Sequence, residues 1–475
     1  MNQPIGFFTF GISLLCLLAI QSPAWAMAKK PPVPVQSPYQ EPAPLPLLTL
    51  EDCYQLALKQ SETLAIRKQD IEIAEAQFYK AAGEAIGDVR FVITDTRQDA
   101  PKPQTIPPPA PIEIPSADPN DPDPIIIQPS QSGSDESFGS TFNAQHRRER
   151  KFVISQPLFQ GFRSLGAIAG AGSLKRQRTE ESARAEQLLF LDVVESFYQV
   201  MRYEKDIEIL EGIHQLFRNR ITDLEARERI GRSRLSEVVS ARARMRIIES
   251  DLARSRGVLK VAQHILEYLT GIPIDLERLE EEALETSLSQ SLAQLLPAGE
   301  NRADVQAAEA AIKTARSSVV IAQSELWPDI SLENNQYVKR EGFQRDYDWD
   351  LLFRFDIPIF QGGRALGEIK ESLGEWRKAK LFHSQAKRRA ELEIEEAYEK
   401  WSAAADQSKS LELAVKDSQE NYRLQQEEYS RNLVSNLDVL AALESLNQTE
   451  RDANQVFYEM KITYWRLKVA QGEVL

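Results

Sequence analysis

The chain has 475 residues, 27% of them charged and 8% aromatic, and carries a formal net charge of −14. A chain this acidic is a poor binder of nucleic acid, and its two cysteines, Cys16 and Cys53, supply no disulfide framework. No apolar run of transmembrane-helix length follows residue 28, so any entry into a membrane would have to be made by β-strands.

Residues 1–26 carry an apolar stretch, Phe7 to Ile20, that ends in Ala24-Trp25-Ala26 and reads as an export signal with a small-x-small cleavage site. It has no Lys or Arg, which leaves a retained anchor as the alternative. Residues 27–49 are Pro-rich and read as an extended tether. The spacing of Leu56, Leu64, Ile71 and Phe78 predicts helix over 50–86, and alternation of Val89, Phe91 and Ile93 with Arg90 and Thr94 predicts a strand over 88–96. Residues 98–140 hold eleven prolines between 101 and 129, a composition that builds no core and predicts a long exposed loop.

From residue 152 the chain says something that it says again 201 residues later. Phe152 to Gly166 matches Phe353 to Gly367 at eight of fifteen positions, around Pro157-Leu-Phe-Gln-Gly161 and Pro358-Ile-Phe-Gln-Gly362. The same offset pairs Gly231 with Asn432, Glu237 with Asp438 and Gly271 with Gly472. A register held this long without insertion implies two equivalent long elements. Upstream, Gly87-Asp88-Val89 matches Pro328-Asp329-Ile330 at an offset of 241, so the first repeat carries a 40-residue insertion, the Pro-rich loop, between its two strands.

Long Pro-free helices are predicted over 164–228 and 365–431, each turning, at Gly231 and Asn432, into a second helix at 237–270 and 438–471. Gly and Asn are the residues that take the left-handed backbone such turns need. Residues 272–300 read as a connector, and 301–326 as a short helix feeding strands at about 329–357. In the last of these, Tyr347, Trp349, Leu351, Phe353, Phe355 and Ile357 alternate with Asp348, Asp350, Leu352, Arg354 and Asp356. This is the dyad pattern of a barrel strand with lipid on one side and water on the other, with a soluble amphipathic strand as the alternative. Its counterpart, His146-Arg-Arg-Glu-Arg-Lys151, puts charge on both faces and would need a bulge or a place at headgroup level. Pro157, Gly161, Pro358 and Gly362 mark the passage from strand to helix, and Trp327 and Trp349 are candidates for an interfacial girdle or for core packing.

The predicted domains are thus a signal (1–26), a tether (27–49), a first repeat (50–271, with its helical hairpin at 164–271), a connector (272–300) and a second repeat (301–475, with its hairpin at 365–471). Nothing points to an enzyme: His146, His214, His264 and His383 lack ligand spacing, and there is no phosphate loop or nucleophile elbow. No cofactor or metal is expected.

Several separated motifs, in order, resemble the TolC-like outer-membrane efflux family (outer membrane factors). They are Arg302-Ala-Asp-Val-Gln-Ala-Ala-Glu, Trp327-Pro-Asp-Ile-Ser-Leu, the two Pro-x-Phe-Gln-Gly segments, Tyr429-x-x-Asn432-x-x-x-x-Leu437-Asp438-Val439-Leu440, and Leu467-x-x-x-x-Gly472. The resemblance implies a mainly α fold with a β-barrel portion. Three copies would share a trimeric α-helical tunnel of coiled-coil hairpins and a 12-stranded transmembrane barrel. It implies the exit duct of a tripartite efflux or type I secretion system, located in the outer membrane. The implied partners are a periplasmic adaptor, an inner-membrane RND or ABC pump and outer-membrane lipid, with no nucleic acid. Residue by residue it assigns Asp438, Glu237 and Tyr429 to a periplasmic gate, Gly231 and Asn432 to its turns, and Tyr347, Trp349, Leu351, Phe353 and Phe355 to lipid. A second acidic gate position is Ala441 here, and the family's latch arginine is Val434, with Arg232 or Arg234 as stand-ins. Helix capping is the competing reading of Asp438 and Glu237. A periplasmic coiled-coil adaptor or scaffold is the alternative for the whole chain.

Overall fold

The computed structural model describes residues 47–97, 111–114, 125–127, 146–276, 279–281, 290–341 and 345–474. The expected signal, most of the tether and most of the 98–140 loop lie outside these residues. At the described end of the 27–49 stretch, Leu48 is buried and bridges Leu279, and Thr49 closes a capping box on the first helix.

The first repeat runs α1 (Leu50–Gln60), α2 (Glu62–Ile86), β1 (Asp88–Arg97), the short β2 (Ile112–Ile114) and β3 (Ile125–Ile127), β4 (His146–Gln160), α3 (Arg163–Arg229) and α4 (Leu235–Thr270). The helix predicted over 50–86 is two helices, because the Ser61 side chain leaves the helical pattern to accept the Leu64 N–H and cap α2. The connector holds α5 (Leu292–Leu295) and a 3-10 turn (Leu296–Asn301). The second repeat runs α6 (Ala303–Ser324), β5 (Asp329–Arg340), β6 (Trp349–Asp356), α7 (Arg364–Ser430) and α8 (Asn436–Ala470). β2 and β3 pair with each other within the Pro-rich insertion, which composition alone reads as loop.

The four longer strands form one antiparallel sheet in the order β1-β4-β5-β6. The helices follow the same order. Below the sheet α2, α3, α6 and α7 pack side by side, and farther along α4, α3, α8 and α7 do so. Each level is therefore a four-element layer, with β1, α2 and α4 at one edge and β6 and α7 at the other.

At 67 residues each, α3 and α7 would span roughly 100 Å. Helices of this length hold together through continuous packing rather than propensity. One core joins Phe190, Val193 and Phe197 of α3 to Leu259 and Leu266 of α4, Tyr54 of α1 and Val469 of α8. A second, near the hairpin turns, joins Leu210, Phe217 and Leu224 of α3 to Val238 and Ile248 of α4, and Leu440 and Leu443 of α8 to Tyr422 and Tyr429 of α7. Each fully buried side chain of this size contributes about 1.5–3 kcal/mol. Between the helical levels, Arg302 is wholly buried and binds Asp304 through Nε and Nη2 (both 2.7 Å) and Glu393 of α7 through Nη1 (2.7 Å). Burial opposes its charge, but the two carboxylates outweigh this and hold the guanidinium above its ordinary range.

Candidate functional site

Two regions carry the residues singled out from the sequence: the hairpin turns and the sheet. At the turns, Gly231 and Asn432 both adopt the left-handed backbone, with φ of 75° and 58°. The Gly231 N–H donates to the Glu228 carbonyl and the Asn432 N–H to the Tyr429 carbonyl, so one turn type closes both hairpins. Asp438 lies three residues into the start of α8. Its carboxylate accepts from the Ser435 hydroxyl (2.7 Å) and the Ser435 N–H (2.8 Å), closing a capping box. These bonds hold Asp438 below the usual carboxylate range, the hydroxyl contributing most. Glu237 accepts the Ser233 hydroxyl at 2.6 Å in the first turn of α4.

Tyr429 is buried, and what meets it differs from the expectation. The stand-ins Arg232 and Arg234 belong to the α3–α4 turn and are not its partners. The Tyr429 ring is stacked by the guanidinium of Arg220 at 3.8 Å and of Arg227 at 4.6 Å, both from α3. Arg220 is 3% exposed and also donates to Oδ1 of Asn436, the first residue of α8, from Nε (3.0 Å) and Nη2 (2.8 Å). A single arginine of the first hairpin thus grips both helices of the second. Burial pushes the Arg220 guanidinium below its ordinary range, an effect the Tyr429 and Tyr422 rings oppose. The sequence carries one signal for it: Arg220 falls in the stripe Ile213, Phe217, Arg220, Leu224, where α3 otherwise places apolar side chains.

At the strand-to-helix passages, Gly161 and Phe162 are both left-handed (φ 59° and 69°), as are Gly362 and Gly363 (60° and 84°). A Cβ on Gly161 would meet Trp327 Cβ at 2.6 Å and the Ser324 carbonyl at 2.7 Å. Phe162, a bulky residue in a conformation that glycine favours, packs edge-to-face on Phe159 and Trp327. Pro157 lies inside β4, at a register shift between Pro157 and Phe159, rather than after the strand; Pro358 follows β6.

β6 is shorter than the predicted alternation. Tyr347 stands before its first residue, Trp349, and so is not a strand residue. The pairing register sets rows across one face of the sheet: Val89, Ile154, Asn334 and Leu351, then Phe91, Phe152, Gln336 and Trp349. Ile330 with Phe355 and Leu332 with Phe353 complete the face toward the helices. Val89, Phe91, Phe152, Ile154, Trp349, Leu351, Phe353 and Phe355 are all exposed. On the opposite face Asp350 accepts from Tyr337 (2.6 Å) and Asn335 (2.9 Å), and Arg340 pairs with Glu149 at 3.3 Å. β4 tolerates its charged start partly through a bulge: the pairing with β5 slips between Arg150 and Lys151.

Residues 297–473 match the family model described as outer membrane efflux protein. The cation efflux system protein CusC of Escherichia coli K12 is 23% identical over 323 residues, 65% of this chain and 70% of that protein. The alkaline protease secretion protein AprF of Pseudomonas aeruginosa is 19% identical over 333 residues, 67% and 68% of the two chains. The fold superposes on the crystal structure of CusC with a TM-score of 0.71 at 18% identity, covering 94% of this chain and 99% of that one. It superposes on the outer membrane protein VceC from Vibrio cholerae with a TM-score of 0.72 at 19% identity, covering 89% and 96%. With the duplicated strand-and-hairpin unit, these similarities relate residues 297–473 to the outer membrane efflux protein family and give the chain the fold seen in CusC and VceC.

Proposed function

We propose that the chain is one third of an export duct: three copies join head to tail, their sheets closing a twelve-stranded barrel in the outer membrane and their helices a periplasmic tunnel. The observation that carries this is the coincidence of open edges. Among the described residues β1 and β6 are unpaired edges of the sheet, and the helices beneath them, α2 and α4 on one side and α7 on the other, are the edges of their layers. Open strand edges are not tolerated in lipid, and four strands cannot close a barrel, so the edges of neighbouring copies must meet. α7 supports this reading, with Leu381, Phe382, Leu392 and Leu413 exposed along it.

In this reading the face of Trp349, Leu351, Phe353 and Phe355 meets lipid, and the face of Asp350 and Arg340 meets water. The hairpin turns form the periplasmic entrance. Asp438 and Glu237 rim it, and Arg220 with Tyr429 latches one hairpin to the other in the closed duct. Opening would separate the tips, and solutes or proteins would then leave passively. The energy comes from an RND or ABC pump of the inner membrane, reached through a periplasmic adaptor. No residue of the chain is assigned to catalysis. Residues 1–26 direct export, 27–49 tether, and the two repeats with their connector build the duct. The scaffold alternative leaves the exposed apolar rows of the sheet without a role.

The test is oligomeric mass in detergent together with planar-bilayer conductance of the full chain. A trimer with discrete, mostly closed, cation-selective openings is expected. A monomer without conductance would overturn the duct.

A further inference from the structure

The charged start of β4 has a place that the duct itself does not require. β1 and β4 pair without a break from Asp88–Ser155 to Arg97–His146, so the side chains of one face can be followed in order along both strands. That face runs Val89 with Ile154, Phe91 with Phe152, Ile93 with Arg150, and then Asp95 with Arg148. The Phe91 and Phe152 rings touch, with centroids 4.8 Å apart, and their row continues to Trp349. The next row beyond the aromatics pairs Arg150 with Lys339. Along β4, Phe152 and Arg148 are separated by about 14 Å of strand. An apolar face, an aromatic row and a cationic row therefore follow one another within a few residues.

The cations of the two faces are treated differently. On the face of Asp350, Arg340 is held by Glu149 and Asp350 and stacks on Tyr337 at 4.1 Å, and Lys151 lies over the same ring at 5.6 Å. On the apolar face, Arg150 is exposed, and no acid pairs with it among the described residues. Arg148 is half exposed and shares Asp95 with Arg97 at 3.6 and 3.8 Å. Lys339 is half exposed and pairs with Glu341 at 2.8 Å. Among the described residues, four cations thus stand against two carboxylates, in an acidic protein, directly beyond the aromatic row.

The geometry points to a binding site for the phosphates of an anionic lipid at the outer headgroup level, formed by Arg150 and Lys339 with Arg148 behind them. Aromatic rows mark the membrane–water interface. Arginine in a planar fork suits phosphate oxygens, and its attraction is strongest where an apolar neighbour limits water. The inference rests on the membrane placement proposed above: the end of the sheet remote from the helices faces the outer leaflet.

The test uses the full-length trimer, with bisphosphorylated lipid A and its phosphate-free form as probes, and native mass spectrometry to count bound lipid. The wild type is expected to retain the phosphorylated lipid at least fivefold over the phosphate-free form, and less so as salt rises. Arg150→Gln with Lys339→Gln is expected to bring the two lipids to parity, whereas Arg150→Lys with Lys339→Arg keeps the preference. Equal retention of both lipids by the wild type, or an unchanged preference in the Gln variant, would overturn the site. Co-flotation of the wild type with vesicles after a carbonate wash separates the two levels of failure. A chain that floats without phosphate preference refutes this site alone, and one that does not float refutes the membrane placement with it.

Discussion

Replacing Arg220 with Met tests the latch most directly, because a methionine fills much of the same space without the charge. The change removes two charge-assisted hydrogen bonds and leaves Asn436 Oδ1, on a residue 4% exposed, without its donor. A buried acceptor so abandoned costs about 1–3 kcal/mol. The stacked guanidinium on Tyr429 adds about 2 kcal/mol in a desolvated setting. Against this, no carboxylate among the described residues forms an ion pair with the buried guanidinium, Asp223 acting only from a distance, so its removal recovers part of its desolvation. A net weakening of the contact between the hairpins by about 2 kcal/mol follows, which at 1.4 kcal/mol per tenfold raises the open fraction roughly thirtyfold. Single-channel recording in planar bilayers reads this as open time. Tyr429→Phe keeps the ring and should behave as the wild type, while Tyr429→Leu should follow Arg220→Met. If Arg220→Met opens no more often than the wild type, or Tyr429→Leu is silent, the latch is not at this arginine.

Other outcomes follow from the same structure. Leu392→Glu with Phe382→Glu, on the exposed side of α7, should lower the mass measured by light scattering from trimer to monomer while leaving helical content intact. Arg302→Met takes from Asp304 its ion-pair partner, while Glu393 keeps Arg184 and Arg389, and should lower stability by about 3 kcal/mol, seen as an earlier urea midpoint. Gly161→Ala places a Cβ against Trp327 and the Ser324 carbonyl at positive φ, costing about 1–3 kcal/mol, and should reduce the yield of folded protein. Asp438 has a depressed folded pKa, so its capping contribution is complete above the unfolded value of 3.8 and is lost as pH falls through the folded one. Channel opening should therefore be indifferent to pH between 5 and 8 on account of this residue, and Asp438→Asn should not move any pH response found there.

The duplicated register made the fold legible. A fixed offset over Pro157 and Pro358, Gly231 and Asn432, Gly271 and Gly472 is enough to place strands, long helices and turns along the chain. The strand faces were legible too, because alternation has a period of two and Trp349 to Phe355 obey it. The partner of Tyr429 was not. Arg220 lies inside the last turns of α3, 216 residues from Asn436, and the contact between them depends on how two hairpins cross. A local pattern carries no information about that crossing. The split at Ser61 was missed for a different reason: the apolar spacing continues through it, and only the serine side chain, turned back to the Leu64 N–H, interrupts the helix. Tyr347 was misplaced because side-chain alternation persisted two residues beyond the strand that begins at Trp349.

The equal lengths of α3 and α7 have a consequence for how this chain can change over time. Each has 67 residues, and each begins and ends 201 residues from its twin. A residue inserted into one would carry its turn about 1.5 Å past the other and rotate the following stripe by roughly 100°. Arg220 would then no longer face Tyr429. A viable change of length must therefore arise in both copies together, and in steps that restore the stripe. The pair acts as a gauge block, cut once and then preserved by each half serving as the template against which the other is measured.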